Sequence, residues 1–260
     1  MKSQSLFRTL FSWELEENYR FPIAESLIFV VIIYLIGFTS ETMKIYQNLD
    51  ISHYAYVLNA LNSLSFISVF LVSFLFAKSF AGAFSSNIIK TILSYPIKRR
   101  DIIIIKFFSN LIVIYVILGA LIIFDAWLAG IYLYNDNWFF VGVVLVALLI
   151  NLLFLGSIAM FVSILLKNET LSILFVLFFI FGIPNFVGRF AKEFYQFFSI
   201  SKSTSNIALY LLQGFYPSKA IIFNDVSYYM FIQSLSFQLG TFIILFTASL
   251  LYFVYLLEVD

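Results

Sequence analysis

The chain has 260 residues, of which 62% are hydrophobic and 11% are charged, and its formal net charge is +1. Soluble domains carry about 25% charged residues, so this composition predicts an integral membrane protein. The small net charge gives no reason to expect a nucleic-acid partner. Because the sequence has no cysteine and one histidine, disulfides, thiolate metal sites and multi-histidine metal motifs are excluded. No GxxxxGK[ST] motif occurs, so we expect no ATP site of the P-loop type in this chain.

The apolar segments predict an all-α protein. In residues 3–20 the large apolar side chains lie on one side and three glutamates follow, which predicts an N-terminal amphipathic helix at the membrane interface. The glutamates either contact a partner or form a solvated face. A bilayer is crossed by about twenty apolar residues. Six transmembrane helices are therefore predicted, at about 21–39, 58–80, 102–134, 138–166, 170–188 and 231–255.

The second predicted span carries a polar side. Four of its residues share about a third of the helix circumference at 100° per residue: Asn59, Asn62, Ser63 and Ser73. Polar side chains in a bilayer bond to neighbouring helices or line a cavity. Two interpretations of these four residues are therefore open: they form hydrogen bonds to other helices, or they line a substrate pathway.

Two further features are predicted at the end of the spans that lies away from Lys106. Asp125 lies about 28 Å along the helix from Lys106, which is most of the thickness of a bilayer. This distance predicts that Asp125 is a carboxylate at the far membrane interface; a functional role for it is also open. After the break expected at Gly182 and Pro184, residues 189–229 are too polar to span. They predict short external helices at 190–198 and 206–213, separated by 199–205, that dip partway into the membrane.

The loop between the second and third spans is helical and basic. Phe84, Ile88 and Ile92 recur at helical spacing. Pro96 ends this helix because the residue before a proline avoids the helical region. Asp101 then provides a side-chain oxygen at the start of the next helix. Read from the residues alone, this is a basic cytoplasmic loop with an interfacial helix.

The sequence Thr91-Ile92-Leu93-Ser94-Tyr95-Pro96-Ile97-Lys98-Arg99-Arg100, with Lys106 in the following span, resembles the cytoplasmic loop of ABC transporter permeases of the type-2 exporter class. In that family a short helix precedes a small-apolar-Pro-apolar-basic segment. The resemblance implies that residues 81–101 form a coupling loop, whose helix sits in a cleft of a separate ATPase. The residues it implies at this contact are Phe84, Asn87, Ile88, Lys90, Thr91, Ile92 and Pro96. A cytoplasmic basic anchor would comprise Lys98, Arg99, Arg100 and Lys106.

The layout of the whole chain agrees with the same family, as a single type-2 transmembrane domain over 1–260. The resemblance implies a permease subunit of an exporter, paired with a second permease copy, and not an enzyme. ATP and Mg²⁺ would be bound by the ATP-binding subunit, with no cofactor in this chain, and membrane lipids would surround it. The alternative is a polytopic membrane anchor or immunity-type protein. A secondary transporter or an intramembrane enzyme is less well supported, because neither midplane ionisable groups nor a reactive pair is found in the spans.

Basic residues predict the orientation. Ten of the fifteen Lys and Arg residues lie in the N-terminal helix, in the region 78–106 and at Lys167, all on one side of the six-span layout. The positive-inside rule places that side in the cytoplasm. We therefore expect a multi-pass protein of the cell membrane with both termini cytoplasmic.

Overall fold

The computed structural model describes residues 2–18, 31–32, 34, 53–86, 98–133, 139–183, 186, 199–215 and 226–256. Within these ranges the regular elements are all helices, and none is a strand. The prediction of an all-α fold is confirmed for this part of the chain. The first predicted span (21–39) and most of the coupling loop lie outside it.

The N-terminal helix α1 spans Lys2–Asn18, close to the predicted 3–20. It packs along α3, the helix Arg99–Leu133. Along α1, Trp13 is 36% exposed while Glu14 is only 5% exposed. One side of α1 is therefore directed at the protein; its position at a membrane interface remains a prediction.

Helix α2 spans His53–Phe76 and continues through a π-helical turn, Ala77–Gly82, into Ala83–Ser85. Helix α3 begins at Arg99, where the Lys98 carbonyl accepts hydrogen bonds from the N–H groups of Asp101 (2.9 Å) and Ile102 (3.4 Å). Asp101 therefore lies in the first turn of α3 and not in the capping position expected from the sequence. It still places a carboxylate near the positive end of the helix dipole.

Helix α4 spans Phe139–Leu166 and helix α5 spans Glu169–Leu177, which a π-helical turn extends through Phe178–Gly182. The connection is tight because Lys167 adopts a positive φ of 52°. Asn168 then caps α5, its side chain accepting a hydrogen bond from the Leu171 N–H at 3.1 Å.

Helix α6 spans Ile200–Phe215, and helix α7 spans Tyr228–Leu251 and ends in a π-helical turn, Tyr252–Leu256. The sequence predicted that 199–205 would separate two short helices, and this is wrong for the described part. Residues 200–205 form the start of α6, because their polar side chains find hydrogen-bond partners on α2 and α7 that the local sequence does not reveal.

In the part of the chain that the structure describes, four helices are long and apolar enough to cross a membrane: Ala60–Ser85, Arg99–Trp127, Val141–Leu166 and Tyr228–Tyr255. They coincide with the predicted second, third, fourth and sixth spans. The predicted fifth span is described only as a shorter apolar helix, Glu169–Gly182. The four helices indicate a membrane protein; the count of six spans stays a prediction.

Helix α4 lies at the centre of the bundle and packs against α2, α3, α5, α6 and α7. Helices that are apolar around their whole circumference are buried, as α4 is. In its apolar window 67% of residues are buried within the protein, against 17% for α7. Because Gly156 of α4 has no side chain, the aromatic rings of Phe76 and Phe107 can pack against its backbone. A Cβ built there would lie 3.0 Å from Cζ of Phe76 and 3.3 Å from Cε2 of Phe107. The outer side of α7 is left for lipid or another chain.

Candidate functional site

A buried ion pair joins α1 to α3. The Lys106 ammonium lies 2.5 Å from a Glu14 carboxylate oxygen, and each side chain is only 6% exposed. Lys106, predicted as part of a cytoplasmic basic anchor, is thus directed into the protein. Of the three glutamates predicted in α1, Glu14 has this partner, whereas Glu16 is exposed.

Phe84, at the end of α2, contacts two distant parts of the chain. Its ring lies 6.2 Å from the ring of Phe253, edge to face, in the π-helical turn that ends α7. The Lys167 ammonium, in the α4–α5 connection, lies 5.8 Å from the centre of the same ring. We call the region formed by Glu14, Phe84, Lys106, Lys167 and Phe253 the loop end, because the predicted coupling loop leaves the bundle beside it.

The remaining coupling residues can be placed only in part. Lys98, Arg99 and Arg100 are exposed at the start of α3. Arg100 lies 3.6 Å from Asp101 in a solvent-exposed pair, a type of contact that contributes little stability. The predicted contact residues Asn87, Ile88, Lys90, Thr91, Ile92 and Pro96 lie outside the described residues, so their part in a contact remains a prediction.

A second polar region lies where α6 enters the bundle. Four consecutive residues of α6 are bonded to two other helices. The Ser205 hydroxyl donates to Oδ1 of the Asn62 side chain, on α2. Gln238 of α7 donates to Ser203 at 3.1 Å and to Thr204 at 3.3 Å. Asn206 donates to Ser234 of α7 at 3.3 Å. The first half of α6 is therefore held by hydrogen bonds and not only by apolar packing.

The same polar region extends between α2 and α4. Asn151 of α4, fully buried, donates to Ser68 of α2 at 3.3 Å. We call the whole set the polar seam; it comprises Asn62, Ser68, Asn151, Ser203, Thr204, Ser205, Asn206, Ser234 and Gln238.

The residues predicted to line a pathway have different positions. Asn62 belongs to the polar seam, and Ser63 is half-buried. Ser73 is buried, and its hydroxyl donates to the Val69 carbonyl of its own helix at 2.6 Å. The side chain of Asn59 lies outside the described residues. Of the polar seam, sequence reasoning found only Asn62. For Asn151, a lone amide in an otherwise apolar span was the signal that could have found it; Gln238 shares its span with Gln233.

Asp125 of α3 lies inside the helix bundle. Its side chain is fully buried, and the Tyr34 hydroxyl donates to Oδ2 at 2.6 Å. The other carboxylate oxygen, Oδ1, has no hydrogen-bond partner. The contact ties the first predicted span to α3, and the interfacial depth of Asp125 stays a prediction.

Among the described residues, no group of three or more His, Cys, Asp and Glu side chains is placed to hold a metal ion. Comparisons with known proteins find nothing similar, since no protein-family model, no curated protein and no solved structure matches the chain. Two structural features therefore stand as candidate functional regions: the loop end and the polar seam.

Proposed function

We propose that this chain is the membrane-spanning permease subunit of an ABC exporter of the type-2 class, driven by a separate ATP-binding subunit. The observation that best supports the proposal is the loop end. The predicted coupling loop joins the end of α2, where Phe84 lies, to the start of α3 at Arg99, two helical turns before Lys106. Phe84 and Lys106 both contact other segments of the chain.

These contacts suit the loop for transmitting force. A displacement of the loop acts on α2 and α3 through the backbone. The contacts of Phe84 with Phe253 and Lys167 would transmit this displacement to α7 and to the α4–α5 connection. The ion pair of Lys106 with Glu14 would transmit it to α1. Packed interiors respond as rigid units because they have little free volume. Closure of the ATPase on ATP would thus move most of the described helices together.

The proposal includes the partners and the location expected for such a subunit. Two permease copies, identical or similar, form the translocation pathway, and the partner ATPase binds ATP and Mg²⁺. The chain itself is not an enzyme and holds no cofactor. It lies in the cell membrane among lipids, with both termini and the loop end in the cytoplasm.

Ile88→Asp tests the proposal in the full-length protein, co-expressed with a candidate ATP-binding subunit from the same organism. Truncating an interface anchor costs about 2 kcal/mol or more, which is roughly thirtyfold in affinity. An unpaired carboxylate in an apolar contact costs more. We expect a membrane-inserted variant that no longer retains the ATPase or stimulates ATP hydrolysis.

Two controls make the result specific. Ile88→Leu keeps an apolar residue in the loop, and Tyr229→Asp introduces the same charge at a side chain that is 68% exposed at the start of α7. Both should retain the ATPase. If Ile88→Asp also retains it and supports transport, the loop is not the coupling element. A wild-type chain that captures no ATP-binding subunit would favour the alternative, a membrane anchor or immunity-type protein.

A further inference from the structure

The polar seam is uncharged. Its side chains are all Asn, Gln, Ser or Thr. Ser68, Asn151, Ser203, Thr204, Ser234 and Gln238 are each at most 1% exposed. Polar side chains in a membrane bundle are costly unless their hydrogen bonds are formed. The seam is thus an uncharged polar region inside the bundle, and a ligand there would meet no fixed charge from its members.

Two acceptors of the seam are unused. Asn151 and Gln238 each donate through the amide nitrogen, but Oδ1 of Asn151 and Oε1 of Gln238 have no hydrogen-bond partner. Leaving a buried acceptor unpaired costs about 1–3 kcal/mol. Unused carbonyl oxygens accept O–H or N–H groups. The seam therefore matches a ligand that brings hydrogen-bond donors.

Helix α6 is held differently along its length. Its first half is joined to α2 and α7 through Ser203, Thr204, Ser205 and Asn206, and bonds of this kind can be exchanged for bonds to water or ligand. From Ile207 onward the buried residues are apolar: Ile207, Ala208 and Leu212. Tyr210 also stacks on Phe231 of α7, with ring centres 4.4 Å apart. The first half of α6 is therefore attached mainly through hydrogen bonds, which a ligand can replace, and the second half mainly through apolar contacts.

We propose that the polar seam is a binding site for the uncharged, hydroxyl- or amide-bearing part of the substrate, closed by the first half of α6. Its designation as a substrate site rests on the proposed function. A ligand hydroxyl would donate to Asn151 or Gln238 and replace the bonds that α6 makes in the closed state. Charged ligands are excluded because the seam has no opposite charge to offset their desolvation.

The absence of native cysteine allows a direct test. Ser68→Cys places a thiol in the seam with little change in shape. Ser73→Cys is the matched control, since Ser73 lies on the same helix and is 1% exposed. Both hydroxyls donate to a carbonyl of α2 itself, Ser68 to Ser65 and Ser73 to Val69, but Ser68 also accepts a hydrogen bond from Asn151 of α4. Each full-length variant, in the membranes of an expression host without the partner ATPase, is treated with three methanethiosulfonates: neutral hydroxyethyl, cationic trimethylammonioethyl and anionic sulfonatoethyl.

We expect the hydroxyethyl reagent to modify Ser68→Cys at least about tenfold faster than Ser73→Cys, a ratio equivalent to 1.4 kcal/mol. It should also modify Ser68→Cys faster than either charged reagent does. Equal rates at the two positions would show that the seam is only a helix–helix contact. Equal rates with all three reagents would show an open aqueous cleft and overturn the assignment of an uncharged ligand.

Two further variants establish the role of α6 and guard against a folding defect in one mutant. Gln238→Cys probes the seam from α7 and should show the same preference as Ser68→Cys. In the triple variant Asn62→Cys, Ser205→Cys and Gln238→Cys, a short bis-methanethiosulfonate first joins α2 to α6. Protection of Gln238→Cys after cross-linking supports closure by α6, and undiminished labelling contradicts it. Since no ATPase is present, these results are independent of whether Ile88→Asp uncouples one.

Discussion

The Glu14 carboxylate and the Lys106 ammonium lie 2.5 Å apart, and both side chains are almost fully buried between α1 and α3. The pair attaches the N-terminal helix to the helix that follows the predicted coupling loop. Removing one member of a buried pair leaves the other charge without its partner, whereas replacing both with apolar or neutral groups is often tolerated.

We therefore expect Lys106→Met to lower the free energy of unfolding by about 3–5 kcal/mol. The double variant Glu14→Gln with Lys106→Met should recover most of that loss. Unfolding by SDS titration in detergent measures both, with Lys98→Met, at an exposed cation of the same region, as the control. A double variant as unstable as the single one would show that Glu14 is not the partner that matters.

Gly156 provides a test of the aromatic core. A methyl group there would lie 3.0 Å from Cζ of Phe76, inside the packing of α2 and α3 against α4. Gly156→Ala should cost about 1–3 kcal/mol, as overpacking of a dense core does. Gly142→Ala lies on the same helix and its Cβ would meet nothing within 4 Å. Its stability should not fall, and a loss as large as that of Gly156→Ala would contradict this account.

The Tyr34 hydroxyl is a hydrogen-bond donor to a buried carboxyl group, Asp125. Tyr34→Phe removes the donor with little change in volume, so we expect a loss of about 1–3 kcal/mol in unfolding free energy. Tyr255→Phe, at a side chain that is 77% exposed, should change stability by no more than about 0.5 kcal/mol. If both variants behave alike, the contact does not stabilise the first predicted span against α3.

Membrane orientation can be measured with single cysteines in the cysteine-free chain. Arg99→Cys and Lys167→Cys lie at the loop end, whereas Tyr229→Cys lies at the opposite end of α7, with the length of that helix between them. An impermeant thiol reagent should label the first two only from the cytoplasmic side and the third only from outside. Labelling of Arg99→Cys and Lys167→Cys from opposite sides would overturn the proposed topology.

Most of the helices could be predicted from local properties of the sequence. Length and hydropathy predicted the long apolar helices of residues 58–80, 102–134, 138–166 and 231–255, and the described helices agree with them within a few residues. The N-terminal helix was predicted from the helical spacing of its apolar residues, which is also a local signal. The helix α6 was mispredicted in its first half, because the partners of Ser203 and Ser205 are not local.

Which polar residues meet was decided only by packing. Asn62 and Ser205 are 143 residues apart, Tyr34 and Asp125 are 91 apart, and Ser68 and Asn151 are 83 apart. Hydropathy shows that a residue is polar within a span, but it does not show which neighbouring helix its side chain faces. That depends on how the helices rotate and pack around α4. For this reason the sequence predicted a helical membrane protein and a basic loop, while the buried pair of Glu14 and Lys106 and the polar seam appear only in the folded bundle.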